Sequence, residues 1–182
     1  MANIKGFQLK NIKTPIGREG YGCLASIYLH GKKVGNYEDY GDGSFGNYNL
    51  SKDAEEEIIK IALEYAKSHP DKNLNWVEFY SKEEVFERAK ENLLNKYPFL
   101  SEKDITVNTV YIDVEYLVNE FSLLVAKEKD FKKEIKKGYK AVAFVGYTMY
   151  SYPSSWSDKQ IQEDAKSKNA EVYLNLEDFN IK

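Results

Sequence analysis

The sequence has a single cysteine, Cys23. No disulfide can form within the chain, which fits a reducing compartment. Histidine is almost as scarce, at two residues, His30 and His69. One Cys and two His leave a structural zinc site without enough ligands. A Ser-His-Asp triad would have to use one of those two histidines, and no G-x-S-x-G elbow is present to present the serine. No run approaches the ~20 apolar residues of a membrane span. The N-terminal MANIKGFQLK lacks an apolar core, so it does not read as a signal peptide. These absences predict a cytoplasmic protein with no membrane association, no metal and no cofactor.

Charge is also without an extreme. The net value is -3. A dedicated nucleic-acid binder is usually basic, and a mimic of the phosphate backbone would be far more acidic. Any such role must rest on local patches.

What is present is tyrosine: 15 residues against 9 Phe and 2 Trp. Tyrosine joins an apolar ring to a polar tip, so it serves equally in a wet-edged core and in an interface. Both readings stay open. The 182 residues are 42% hydrophobic, enough for one domain with a core. The expected architecture is a single α+β domain over 1–182, with a subdivision near residue 70 as the alternative.

The first third reads as strands. Phe7 to Ile12 is a short candidate, broken by Thr14-Pro15-Ile16-Gly17. Tyr21, Cys23, Ala25, Ile27 and Leu29 then alternate with period two. A turn at His30-Gly31-Lys32 and a return over Val34–Tyr40 complete a hairpin. Ser51 is placed to cap a helix to about Ser68, with Ala54, Ile58, Ile61, Ala62 and Tyr65 as its apolar stripe. A short strand over Trp76–Tyr80 comes next. The Ser81…Glu84 pair resembles a capping box and predicts a second helix to about Lys96, where Pro98 stops it.

The third helix is the longest. Val114, Leu117, Phe121, Leu124, Phe131 and Ile135 follow its period, and Lys136-Lys137-Gly138 ends it. Val110 and Tyr111 are expected in extended chain before it. Ala141–Met149 reads as one apolar strand and Tyr150–Ser155 as a loop. Ser157 opens a short polar helix to about Lys168, and Val172–Leu176 reads as a last strand. The fold class is therefore α+β: an N-terminal antiparallel hairpin sheet, about four helices and a C-terminal strand.

Four features carry candidate chemistry. Gly41, Gly43 and Gly46 match G-x-G-x-x-G, but the next helix starts about five residues too late to cradle a pyrophosphate, and Asp42 would repel it. The glycines read better as turn residues needing positive φ. Glu55, Glu56 and Glu57 crowd a helix start. Consecutive helical carboxylates point to different sides, so they read as dipole-stabilising charges or as an acidic face for a basic channel.

Lys127, Lys132, Lys133 and Lys136 crowd the end of the third helix, with Lys129 and Lys137 among them. Glu128, Asp130 and Glu134 are interleaved, so the stretch is either a self-neutralised i,i+4 surface or an edge facing nucleic acid. The aromatic segment Tyr147, Tyr150, Tyr152 and Trp156 follows. It is either a core strand with its loop or a stacking and hot-spot surface. The residue chemistry favours a binding protein over an enzyme.

The segment YGCLASIYLHGKKVGNYEDYGDGSFGNYNL, a hairpin with a G-K-K turn and then a Gly-rich loop, resembles part of small phage-encoded proteins. So does the helix EYLVNEFSLLVAKEKDFKKEIKKG running into an apolar strand. Taken as a whole, the chain resembles the anti-CRISPR proteins, in particular type II-A inhibitors of Clostridium and phage origin. That family shares no common fold or motif, so no residue roles are carried over from it. The resemblance implies a stoichiometric inhibitor of a type II CRISPR RNA-guided DNA endonuclease. It would bind the effector nuclease with its guide RNA, with double-stranded DNA as a further partner. A phage accessory protein that binds DNA without an effector is the alternative.

Overall fold

The computed structural model describes residues 2–69, 82–146 and 148–182. Its α+β character is as the sequence predicts, with four α-helices and nine strands among the described residues. The strand expected over Trp76–Tyr80, the cap at Ser81 and the subdivision near residue 70 lie outside those residues. The chain forms two compact units. Gly6–Glu120 makes the larger; Met1–Lys5 with Phe121–Lys182 makes the smaller.

The larger unit is built on an antiparallel meander. Strands β2 (Phe7–Lys13), β3 (Cys23–Leu29), β4 (Lys32–Asp39) and β5 (Asn47–Asn49) follow one another in sequence and in space. The β3–β4 hairpin closes with Leu29 opposite Lys32. Its two turn residues, His30 and Gly31, have φ of 46° and 82°. That is the primed turn whose twist matches the strands. One sheet face buries Phe7, Leu9, Ala25, Ile27, Leu29 and Tyr37. Tyr21, expected on that face, is 76% exposed, because the strand begins only at Cys23 and Tyr21 sits in a loop bridged to Ile16.

Helix α1 (Lys52–Ser68) starts where the cap residue dictates, with the Ser51 hydroxyl accepting from the Ala54 N–H. All five residues of its expected stripe are buried. Helix α2 (Glu83–Lys96) has Lys82 at its N-cap position and no side-chain cap. Of its apolar side only Leu93 is buried. Residues 107–111 are turns, and not the extended chain expected of Val110 and Tyr111. Thr109 and Val110 both donate their N–H to the Thr106 carbonyl. Those turns deliver Asp113, whose carboxylate accepts from the Tyr116 N–H and starts α3 (Val114–Lys136).

The smaller unit takes α3 from Phe121 onward. Gly138, at φ 93°, terminates that helix. The apolar run after it is a hairpin, which corrects the expected single strand and loop. β6 (Tyr139–Val145) turns at Gly146, φ 56°, and β7 (Thr148–Pro153) pairs back antiparallel. Helix α4 (Asp158–Ser167) opens with a complete capping box between Ser157 and Gln160. β8 (Glu171–Tyr173) joins the far side of β6.

The centre of β6, Ala141 to Phe144, is apolar because both of its faces are covered. Ala141 and Ala143 pack with Tyr152, Ile161 and Ala165 on the α4 side. On the other face Phe144 meets Tyr173, and Tyr173 stacks on Phe179 at 4.2 Å. Phe131 of α3 completes that cluster, 5.5 Å from Phe179. The chain does not end in β8. A 3-10 turn over Leu176–Phe179 leads to β9 (Asn180–Ile181), which pairs in parallel with β1 (Asn3–Ile4) and ties the two ends together.

Candidate interaction surfaces

The lysine edge on α3 divides into two kinds of residue. Lys127 is turned inward. Its Nζ lies 2.5 Å from Glu171 Oε2 and over the Phe144 and Tyr173 rings. Lys132 donates to Glu128 Oε1 at 2.6 Å, and Lys137 to Glu134 Oε1 at 2.6 Å. Both glutamates are buried. Each accepts a second hydrogen bond, Glu128 from the Ala2 N–H and Glu134 from the Ser151 hydroxyl. Burial pushes the Glu128 carboxyl up, but Lys132 and the Ala2 amide together hold it below the ordinary glutamate value. The Lys137 hydrogen bond does the same for Glu134.

Lys129, Lys133 and Lys136 are the remainder. They recur at i, i+4 and i+7, so they share one helix face. All three are exposed and make no ion pair among the described residues. Of the lysines expected as the charged edge, Lys127 is turned inward, Lys132 is exposed but paired, and Lys133 and Lys136 are exposed without an ion pair among the described residues, on one face with Lys129.

The aromatic segment is also divided. Tyr147 lies outside the described residues. Tyr152 is buried at 4% exposure and donates to Asp164 Oδ2 at 2.8 Å. Burial, then that hydrogen bond, pushes its hydroxyl up to about 12. It is a core residue and not a surface anchor. Tyr150 and Trp156 remain about a third exposed. The Lys168 ammonium caps the Tyr150 ring at 5.5 Å, and Trp156 packs against Tyr152.

The acidic start of α1 does not converge. Glu55 Oε1 accepts from the hydroxyls of Tyr48 (3.0 Å) and Tyr97 (3.1 Å). Burial, followed by Glu55, pushes the Tyr48 hydroxyl up to about 12. Glu57 pairs with His30 Nε2 at 2.6 Å. Glu56 is half-buried with no partner among the described residues. Asp42 turns back into its own loop, accepting from the Ser44 N–H and hydroxyl. His30, Asp42 and Glu55 therefore serve three separate local structures. Among the described residues, no group of three or more His, Cys, Asp or Glu could hold a metal ion, and no helix is long and apolar enough to cross a membrane. A solvent-open groove of about 480 Å³ runs along α2, lined mainly by charged side chains around Leu94.

The Gly-rich loop has a structural task. Gly41 and Gly43 take φ of 69° and 86°. The loop is laid backbone to backbone against residues 15–22. Glu19 N–H donates to the Gly41 carbonyl at 2.8 Å, and within the facing segment Gly22 N–H donates to the Pro15 carbonyl at 2.9 Å. A Cβ on Gly17, Gly22 or Gly41 would collide with main-chain atoms of the facing segment. In the sequence these glycines mark turns; that they also let two loops touch is not legible there, because the partner segment is some twenty residues away. No protein-family model matches the chain, and no curated protein or solved structure matches it.

Proposed function

We propose that this protein is a stoichiometric inhibitor of a type II CRISPR RNA-guided DNA endonuclease, acting in the bacterial cytoplasm. It binds the effector with its guide RNA and blocks target DNA binding or cleavage. The target class comes from the sequence resemblance. The observation that carries a binding role is the stripe Lys129, Lys133 and Lys136, three exposed cations that make no ion pair among the described residues. Cations left over after internal pairing are available to phosphates, and each contact releases a condensed counter-ion.

The same stripe supports a second reading, a phage accessory protein that binds DNA directly. A cleavage assay separates them. Wild-type protein suppresses target cutting near one equivalent per effector–guide complex, and Lys133→Glu with Lys136→Glu weakens that suppression. Absence of any complex at micromolar concentration overturns the inhibitor reading. Binding to free duplex DNA, with a log-affinity against log-salt slope that falls by about 2 in the double variant, supports the accessory-protein reading in its place.

A further inference from the structure

The larger unit exposes an apolar patch that its fold does not use. Phe45 is 90% exposed, Ile16 77%, Tyr21 76% and Tyr40 53%. All four stand on the two loops that lie against each other at one end of the meander. Ile16 and Tyr21 face each other across a β-bridge. Tyr40 precedes Gly41, whose carbonyl accepts from Glu19, and Phe45 precedes Gly46, which sits against the Tyr37 hydroxyl.

The loops are held by backbone hydrogen bonds and by glycines that leave no slack. The side chains are thus presented on a stiff support, which lowers the entropy lost on binding. Together the three rings offer roughly 440 Å², counting about 200 Å² for each ring and weighting it by its exposure, and Ile16 adds to them. That is within the range of a monomer's largest patch and about half of one side of a standard protein–protein interface, about 800 Å².

The rim says what fits. The two loops carry Glu19 and Asp42 with Arg18, and the strand ends beside them add Glu38 and Asp39 of β4 and Lys13 of β2, four carboxylates against two cations. Arg18 is itself paired with Glu19 at 3.5 Å. An aromatic cluster ringed by carboxylates repels a phosphate backbone. It complements an apolar cleft bordered by Lys and Arg.

We propose that this loop pair is the protein-docking tip of the larger unit, seating Phe45, Tyr21, Tyr40 and Ile16 in a basic-rimmed apolar cleft of the effector protein. The proposal rests on the inhibitor reading above and supplies its protein-facing half, while the lysine stripe faces phosphate.

The test measures affinity for purified type II effector, with and without guide RNA, for wild type, Phe45→Ser with Tyr21→Ser, and Glu19→Lys with Glu38→Lys. Circular dichroism and thermal midpoint should be unchanged in the exposed-residue variants. Loss of two aromatic anchors is expected to weaken binding by thirtyfold or more. Charge reversal at the rim is expected to slow association several-fold and to flatten its salt dependence. Wild-type binding that the Phe45/Tyr21 variant retains overturns the tip while leaving the inhibitor reading intact. No binding by wild type overturns the inhibitor reading, and the tip as an effector surface with it. Concentration-dependent dimerisation abolished by the same variant assigns the patch to a second copy of the chain and also overturns the proposal.

Discussion

The two units satisfy their carboxylates differently. In the larger unit Glu55 accepts from Tyr48 and Tyr97, and Glu120 accepts from Tyr65. In the smaller unit Glu128, Glu134 and Glu171 each take a lysine: Lys132, Lys137 and Lys127. The charge inventories explain the difference. Residues 6–120 hold 14 Lys and Arg against 20 Asp and Glu, a net of -6. The smaller unit holds 12 against 9, a net of +3. Where acids are in surplus, Glu55 and Glu120 accept from tyrosine hydroxyls. Where lysines are in surplus, Glu128, Glu134 and Glu171 each obtain a cation in addition to a hydroxyl or amide donor, and lysines remain on the surface. A net charge of -3 for the whole chain hides both balances.

The largest expected effect asks whether the smaller unit depends on its aromatic cluster more than on its ion pairs. Phe179 is fully buried, stacked on Tyr173 and near Phe131. Phe179→Ala should destabilise by about 3–5 kcal/mol, the usual cost of emptying a buried ring site. Denaturant unfolding measures it. A loss below about 1 kcal/mol would mean that the C-terminal turn contributes little to this core.

Next is the tight packing in the larger unit. A Cβ on Gly46 would overlap the Tyr37 hydroxyl. Gly46→Ala should cost about 1–3 kcal/mol through overpacking. The ring carbons Cζ and Cε2 of Tyr37 also stand within 2.6 Å of that Cβ, so Tyr37→Leu, and not Tyr37→Phe, should recover a substantial part of that loss. A double-mutant cycle reads the coupling. Strict additivity would show that the clash is relieved by loop movement instead.

The carboxylates themselves give a smaller and more direct contrast. Glu128→Gln removes the partner of Lys132 at a buried site and should cost about 1–2 kcal/mol. Glu55→Gln keeps an oxygen that still accepts from tyrosine, and should cost less than about 1 kcal/mol. Equal losses in the two variants would erase the proposed difference between cationic and hydroxyl partners.

These contrasts also mark what the chain reveals before folding. Signals carried within one element were legible: the Ser51 cap, the α1 stripe, the Gly138 stop and the i,i+4 pairing of Lys132 with Glu128. The β6–β7 hairpin was not, because a strand covered on both faces has no alternation, and its turn at Gly146 interrupts an otherwise apolar and aromatic run. Two-residue strands such as β1 and β9 are too short for any period to register. Lys127 reads as one more surface lysine because its partner Glu171 lies 44 residues away. The exposed tip was hidden for a similar reason. Ile16, Tyr21 and Phe45 are ordinary near turns, and only the folded loops bring them to one place. A bulky apolar residue embedded among glycines, as Phe45 is, was the available signal.

The smallest expected effect tests the charge argument at its sign. Glu115, in the larger unit, has its carboxyl raised by burial and by the nearby Asp113 and Asp39, against a lowering hydrogen bond from Gly46. A raised value in the folded state means the charged form is disfavoured there. Wild-type stability therefore gains from this group as pH falls through its raised value. Glu128 and Glu134 act with the opposite sign. Their lowered values stabilise above the ordinary glutamate value of 4.5, and that stabilisation is lost as pH falls below it. Glu115→Gln should accordingly stabilise by a few tenths of a kcal/mol at pH 7, discounted for partial exposure, and the gain should vanish toward pH 4. Amide exchange read over the same range should show protection in β6 falling before protection in β3. Protection lost first in β3 would mean that the acid-rich unit, and not the lysine-paired one, sets the response to acid.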